Sequence, residues 1–193
     1  MNVELLFITP SAEKLIELAG RTAYQSFHRM REGSEIDFVR MLRKSGHESV
    51  LEHAYATFRI SGISRACSHQ LVRHRLCSFT QRSQRFVDER GFQYVVPPSI
   101  EKNEETKAIF EETMQVLRQA YARLKMLGMK NEDARFVLPE ATVTEVVLTA
   151  NFRELRHIIR LRLQPSAQWE IREVAEKMLA ILKIHAPHVF EDL

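Results

Sequence analysis

Within residues 73–85, RHRLCSFTQRSQR, the basic side chains Arg73, His74, Arg75, Arg82 and Arg85 are interleaved with Ser78, Gln81, Ser83 and Gln84. Arginine carries a planar fork of donors that stays charged at any physiological pH, and neighbouring hydroxyls and amides add further hydrogen bonds. The chemistry this offers is anion binding, with phosphorylated ligands foremost. A solvated basic face and a nucleic-acid contact are the other readings of the same run. Ser83 invites a nucleophile reading, but the nearest side chains in sequence are arginines, which cannot accept a proton, so phosphate ligand is its better role. Cys77 reads as a small packed thiol, because free cysteines are usually buried and inert.

A second group lies at 151–162, NFRELRHIIRLR. Arg153, His157 and Arg160 recur at spacings of four and three, which brings them together on a helix, while Ile158, Ile159 and Leu161 face elsewhere. A salt-bridged surface helix is the plain alternative. Gln70 precedes Arg73 and His74 by three and four residues, so the three would line neighbouring parts of one face if a helix carries them all. The six glycines are all more than ten residues apart, which leaves no room for a GxGxxG turn or a Walker loop. Any dinucleotide must then be held by arginine forks, helix-start amides and side-chain amides. His47 and His53 flank Glu48 at a spacing of six rather than four, so they cannot share a helix face and no metal site is expected.

The elements that must position these residues follow from patterning. Residues 2–8 predict a strand ending at Pro10, and Ser11 predicts the cap of a helix running to about Phe27. A second helix follows Ser34 and stops at Gly46. Residues 53–61 alternate like a strand that Gly62 breaks, after which Ser64 can cap a helix carrying Cys67, Gln70, Leu71 and His74. The arginine segment then begins at a helix end and runs into a loop. RFVDERGFQYVVPP predicts a hairpin or bent strand turning at Gly91, and a long amphipathic helix spans about 102–127. Asn131 caps a short helix before Pro139, and Asn151 and Ser166 are the expected N-caps of final helices at 152–163 and 167–185. Strands separated by helical hairpins, without regular βαβ alternation, predict an α+β single domain over 1–193, with an antiparallel sheet flanked by helices.

Composition narrows the class. An apolar fraction of 45% in 193 residues supports a real core, and two cysteines without CxxC spacing argue against a disulfide framework or a structural zinc. With no signal-peptide pattern and no long apolar run, a cytoplasmic protein without a membrane partner is expected. The net charge is only +3, and arginines concentrate at 73–90 and 153–162, which favours a local pocket over a nucleic-acid groove.

The order Arg-His-Arg, then Ser83-Gln84-Arg85, resembles the signature of the flavin-dependent thymidylate synthases. Further blocks resemble the same family: HESVLEHAYATF at 47–58, ARFVLP at 134–139, and NFRELRHIIRLR with SAQWEIRE at 151–173. The resemblance implies reductive methylation of dUMP to dTMP, with 5,10-methylenetetrahydrofolate as one-carbon donor and NADPH-reduced FAD as hydride source. It also implies a homotetramer with sites shared between subunits, and no nucleic-acid partner. Carried over by position, Ser49, Arg73, His74, Arg75, Gln81, Asn151, Arg153 and His157 would contact FAD. Gln70, Arg73, Gln81, Arg82, Ser83, Gln84, Arg85 and Arg135 would hold dUMP. Arg162 would touch the uracil base and favour loss of its N3 proton, the role of a catalytic cation. Two positions depart from the pattern: Gln81 stands where some members carry glutamate, and Ser166 where some carry histidine. A flavin or nucleotide carrier without catalysis is compatible with the same residues.

Overall fold

The apolar alternation at the N-terminus forms the expected strand β1, Asn2–Ile8, in a computed structural model that describes residues 1–193. Helices α1 (Ala12–Tyr24) and α2 (Ser34–Lys44), strand β2 (Tyr55–Ser64), helix α3 (Arg65–Leu71) and strand β3 (Ser78–Gln81) follow. Then come α4 (Pro98–Glu101), α5 (Glu104–Met126), α6 (Asn131–Ala134), β4 (Val143–Asn151), α7 (Phe152–Arg162), α8 (Trp169–His185) and α9 (Pro187–Phe190). The strands form one four-stranded antiparallel sheet in the order β1-β2-β4-β3, so the chain is α+β as its patterning predicts. Contacts divide it into two compact units, one of residues 1–60, 71–79 and 147–193, the other of 61–70 and 80–146.

In the first unit, period-two burial drives the strands. Ala56, Phe58 and Ile60 of β2 and Leu148 and Ala150 of β4 are buried. Helix α7 follows a period of three to four, burying Phe152, Leu155, Ile158 and Ile159, and Phe152 meets Phe190 of α9 edge-to-face at 5.3 Å. Helices α1 and α2 approach closely because Gly20 has no side chain; a Cβ there would lie 2.6 Å from the Phe38 ring. In the second unit, α5 starts where the Asn103 carboxamide accepts from the Glu105 and Thr106 amides. Its buried Tyr121 hydroxyl accepts from the Glu89 amide at 3.1 Å.

Several local expectations are corrected. Ser11 occupies the start of α1 but adopts a left-handed backbone (φ 48°) and makes no side-chain cap, and Gln25 ends the helix at Tyr24, short of Phe27. Gly62 does not end β2: its positive φ of 71° is absorbed within the strand, which continues to Ser64. The strand β3 lies where a loop is expected. Residues 85–97 form turns and irregular backbone with a single bridge, Tyr94 to Thr142, in place of a hairpin. Strand β4 escaped the pattern reading, although Thr144, Val146, Leu148 and Ala150 alternate inward. Asn131 is the first residue of α6 rather than its cap, and Gln168, not Ser166, caps α8, its carboxamide accepting from the Glu170 and Ile171 amides.

Candidate active site

In the first unit a cleft of about 560 Å³ opens beside the start of α7. Asn151 shapes it twice. Its Oδ1 accepts the Glu154 amide at 2.8 Å, capping the helix, and its side chain lies in the cleft wall. Helical periodicity then delivers Arg153, His157 and Arg160 to the same wall, the grouping their spacing predicts. The short 3-10 turn Glu48–His53 supplies the opposing carboxylates. Arg153 meets Glu52 at 2.5 Å and Arg160 meets Glu48 at 3.1 Å. Solvent screens exposed pairs of this kind, so an incoming phosphate can take over either guanidinium at small cost. Ser49 sits on the same turn and is exposed.

Behind the wall lies a buried group. His74, 5% exposed, accepts at Nε2 from Arg162 Nε at 3.0 Å, and its Nδ1 faces Glu154 Oε1 at 3.7 Å. Burial, then the Arg162 charge and His157, push the His74 imidazole down to about 4, so it is neutral at physiological pH. Burial raises the Glu154 carboxyl, with His157 acting against it. Burial and then Glu154 push the Cys77 thiol up to about 12, which agrees with an inert, packed cysteine. Ligand atoms of His74, Glu154 and His157 lie within 4.8 Å of one another, a spacing a metal could bridge. The Arg162 cation on His74 opposes adding a dication there.

Arg73 and Arg75 are exposed on the segment after α3. Because α3 stops at Leu71, Gln70 does not share a helical face with Arg73 and His74 as its spacing suggests. The second unit holds Gln70, Gln81, Arg82, Ser83, Gln84, Arg85 and Arg135. Gln81 donates to Ser68 at 2.8 Å and to Thr144 at 3.3 Å, which aligns its carboxamide on β3. Arg82 pairs with buried Glu89 at 3.0 Å, Arg85 pairs with Glu132 at 2.8 Å, and Arg135 donates to the Glu132 carbonyl. Ser83 Oγ accepts the Arg85 amide, as a turn residue does, while Gln84 is partly exposed. Four groups escaped the sequence reading of this chemistry: Glu48, Glu89, Glu154 and Arg65. Burial lowers Arg65 against the pull of Glu140, and burial raises Glu89 against Arg82 and Arg65. Nothing in an isolated Glu or Arg announces burial, although Glu154 at the third position after a capping Asn was a legible helix-start signal.

Geometry places the chain among α+β proteins with arginines on a loop and a helix as candidate anion-binding donors and no glycine-rich turn. The family profile described as thymidylate synthase complementing protein matches residues 4–188. A flavin-dependent thymidylate synthase of Geobacter sulfurreducens is 46% identical, covering 100% of this chain and 86% of its own length. That of Nitratidesulfovibrio vulgaris is 41% identical, covering 98% and 85%. Thymidylate synthase X from Helicobacter pylori, crystallised with FAD and dUMP, superimposes with a TM-score of 0.83 at 26% identity, covering 100% of this chain and 98% of that one. The chain belongs to the thymidylate synthase complementing protein family.

Proposed function

We propose that the chain converts dUMP to dTMP by reductive methylation, taking one carbon from 5,10-methylenetetrahydrofolate and reducing equivalents from NADPH through FAD. The carrying observation is the match to flavin-dependent thymidylate synthases along essentially the whole chain, with Asn151, Arg153, His157 and Arg160 of the family-like block at 151–162 lining the cleft beside α7. The donor set suits FAD: guanidiniums for the diphosphate, Asn151 and His157 for polar edges, and Leu76 as apolar lining. When bound, FAD supplies hydride transfer, the step a protein side chain cannot perform.

The chain's own residues bind and orient. Ser49, Arg73, His74, Arg75, Gln81, Asn151, Arg153 and His157 hold FAD. Gln70, Arg73, Gln81, Arg82, Ser83, Gln84, Arg85 and Arg135 hold dUMP, the arginines neutralising its phosphate. Arg162 stabilises the uracil anion left when N3 loses its proton, because a fixed cation in a water-poor site favours the ionised form of its neighbour. No protein nucleophile is needed, in keeping with the elevated Cys77 thiol. Residues 1–193 act as one functional domain, assembled as a homotetramer with sites shared between subunits, in the cytoplasm. No helix is long and apolar enough to cross a membrane.

The test is the visible absorbance of purified protein with FAD, before and after dUMP, followed by turnover with the folate and NADPH. A flavin spectrum that shifts with dUMP, then dTMP formation, is expected. Folded protein that refuses FAD and instead binds oligonucleotides with steep salt dependence would favour the nucleic-acid reading.

A further inference from the structure

Only one tautomer of His74 can take part in its bond with Arg162. A guanidinium only donates, so His74 Nε2 must accept, and a neutral imidazole that accepts there carries its one proton on Nδ1. This Nδ1 lies 3.7 Å from Glu154 Oε1, too far for a direct hydrogen bond, and the two side chains are 4% and 8% exposed. Both side chains are nearly buried, and the weak screening there strengthens the carboxylate's hold on the Nδ1–H dipole. The titratable and charged groups facing His74 are Arg162, Glu154 and His157, all on α7, the His157 ring lying 6.0 Å away edge-to-face. Cys77, on the segment of His74, senses Glu154.

We propose that Glu154 is a positioning residue that holds His74 in the Nδ1–H tautomer, leaving Nε2 open to Arg162 and keeping the guanidinium in one orientation. The other tautomer would set an Nε2–H against the Arg162 Nε–H and break the bond. The same division of labour, a carboxylate orienting a histidine that orients a third group, operates wherever a histidine must present one chosen nitrogen. Its link to turnover rests on the proposed placement of Arg162 at the dUMP base. The tautomer itself does not.

The test is 15N NMR of histidine-labelled protein at pH 7, with the His74 signals assigned by His74→Gln. Wild type and Glu154→Gln, which keeps an acceptor oxygen, should both show the Nδ1–H form. Glu154→Leu, or Glu154→Ala if the leucine variant does not fold, should show a mixture of tautomers. Flavin-loaded Glu154→Leu should lose about tenfold in kcat for dUMP while KM changes less than about twofold, and Glu154→Gln should stay near wild type. A wild-type Nε2–H tautomer, or an unchanged Nδ1–H form in a folded leucine or alanine variant, overturns the inference. If even wild type makes no dTMP, the tautomer contrast still supports the positioning role, and it is the functional proposal that fails.

Discussion

At the scale of single residues, His74 shows how burial converts a motif letter into a chemical property. An arginine-flanked histidine reads as one more cation, yet burial and the Arg162 charge lower its imidazole to about 4. The consequence for stability has a definite sign. The unfolded histidine titrates near its ordinary value of about 6.5, so below that pH the unfolded chain binds the extra proton first. The stability contributed by neutral His74 is complete above about pH 6.5 and is lost as pH falls toward about 4. Thermal midpoints should therefore drop between pH 6.5 and 4.5, and His74→Gln, which cannot titrate, should flatten that part of the curve. Equal slopes in the two proteins would assign the acid sensitivity to another group.

At the scale of elements, α7 is anchored on its far side by Arg156. This guanidinium is fully buried, donates to the Val189 carbonyl, grips both Asp192 oxygens at 2.7 Å and reaches Glu48 at 3.7 Å. Although burial opposes it, bonds and charge from Arg156 and then Arg43 hold the Asp192 carboxyl well below the usual carboxylate range. One arginine thus ties α7 to the C-terminal residues and to the Glu48–His53 turn that opposes it across the cleft. Asp192 is itself exposed, but losing it leaves the buried Arg156 charge with fewer partners, so Asp192→Ala should cost about 1–3 kcal/mol in urea unfolding. FAD affinity should weaken with it, because Arg160 is shared between Glu48 and Asp192. A loss below about 0.5 kcal/mol, the scale of ordinary surface changes, would show that the network is not structural.

At the scale of the whole molecule, the proposed cofactor ligands fall mainly in the unit of 1–60, 71–79 and 147–193, and most of the proposed nucleotide ligands in the unit of 61–70 and 80–146. The proposed tetramer has a direct measurement. Light scattering should return about four times the chain mass of 22.5 kDa, whether or not FAD is present. A stable species at the mass of one chain would remove the shared-site assembly from the proposal.

What the sequence determined by itself was local. Strand β1, helix α5 and the Asn151 cap of α7 were legible because period and capping chemistry act over a few residues. The grouping of Arg153, His157 and Arg160 was legible for the same reason. Strand β4, the stop of α3 at Leu71 and the Gln168 cap were settled by which neighbour supplies the missing hydrogen bonds. Only tertiary structure brought His74, from the turn after α3, against Glu154 and Arg162, 80 and 88 positions further along the chain. Burial there is what makes the histidine neutral and the carboxylate a guide for it. Protonation and tautomer are properties of a packed environment, and no spacing within a short motif encodes them.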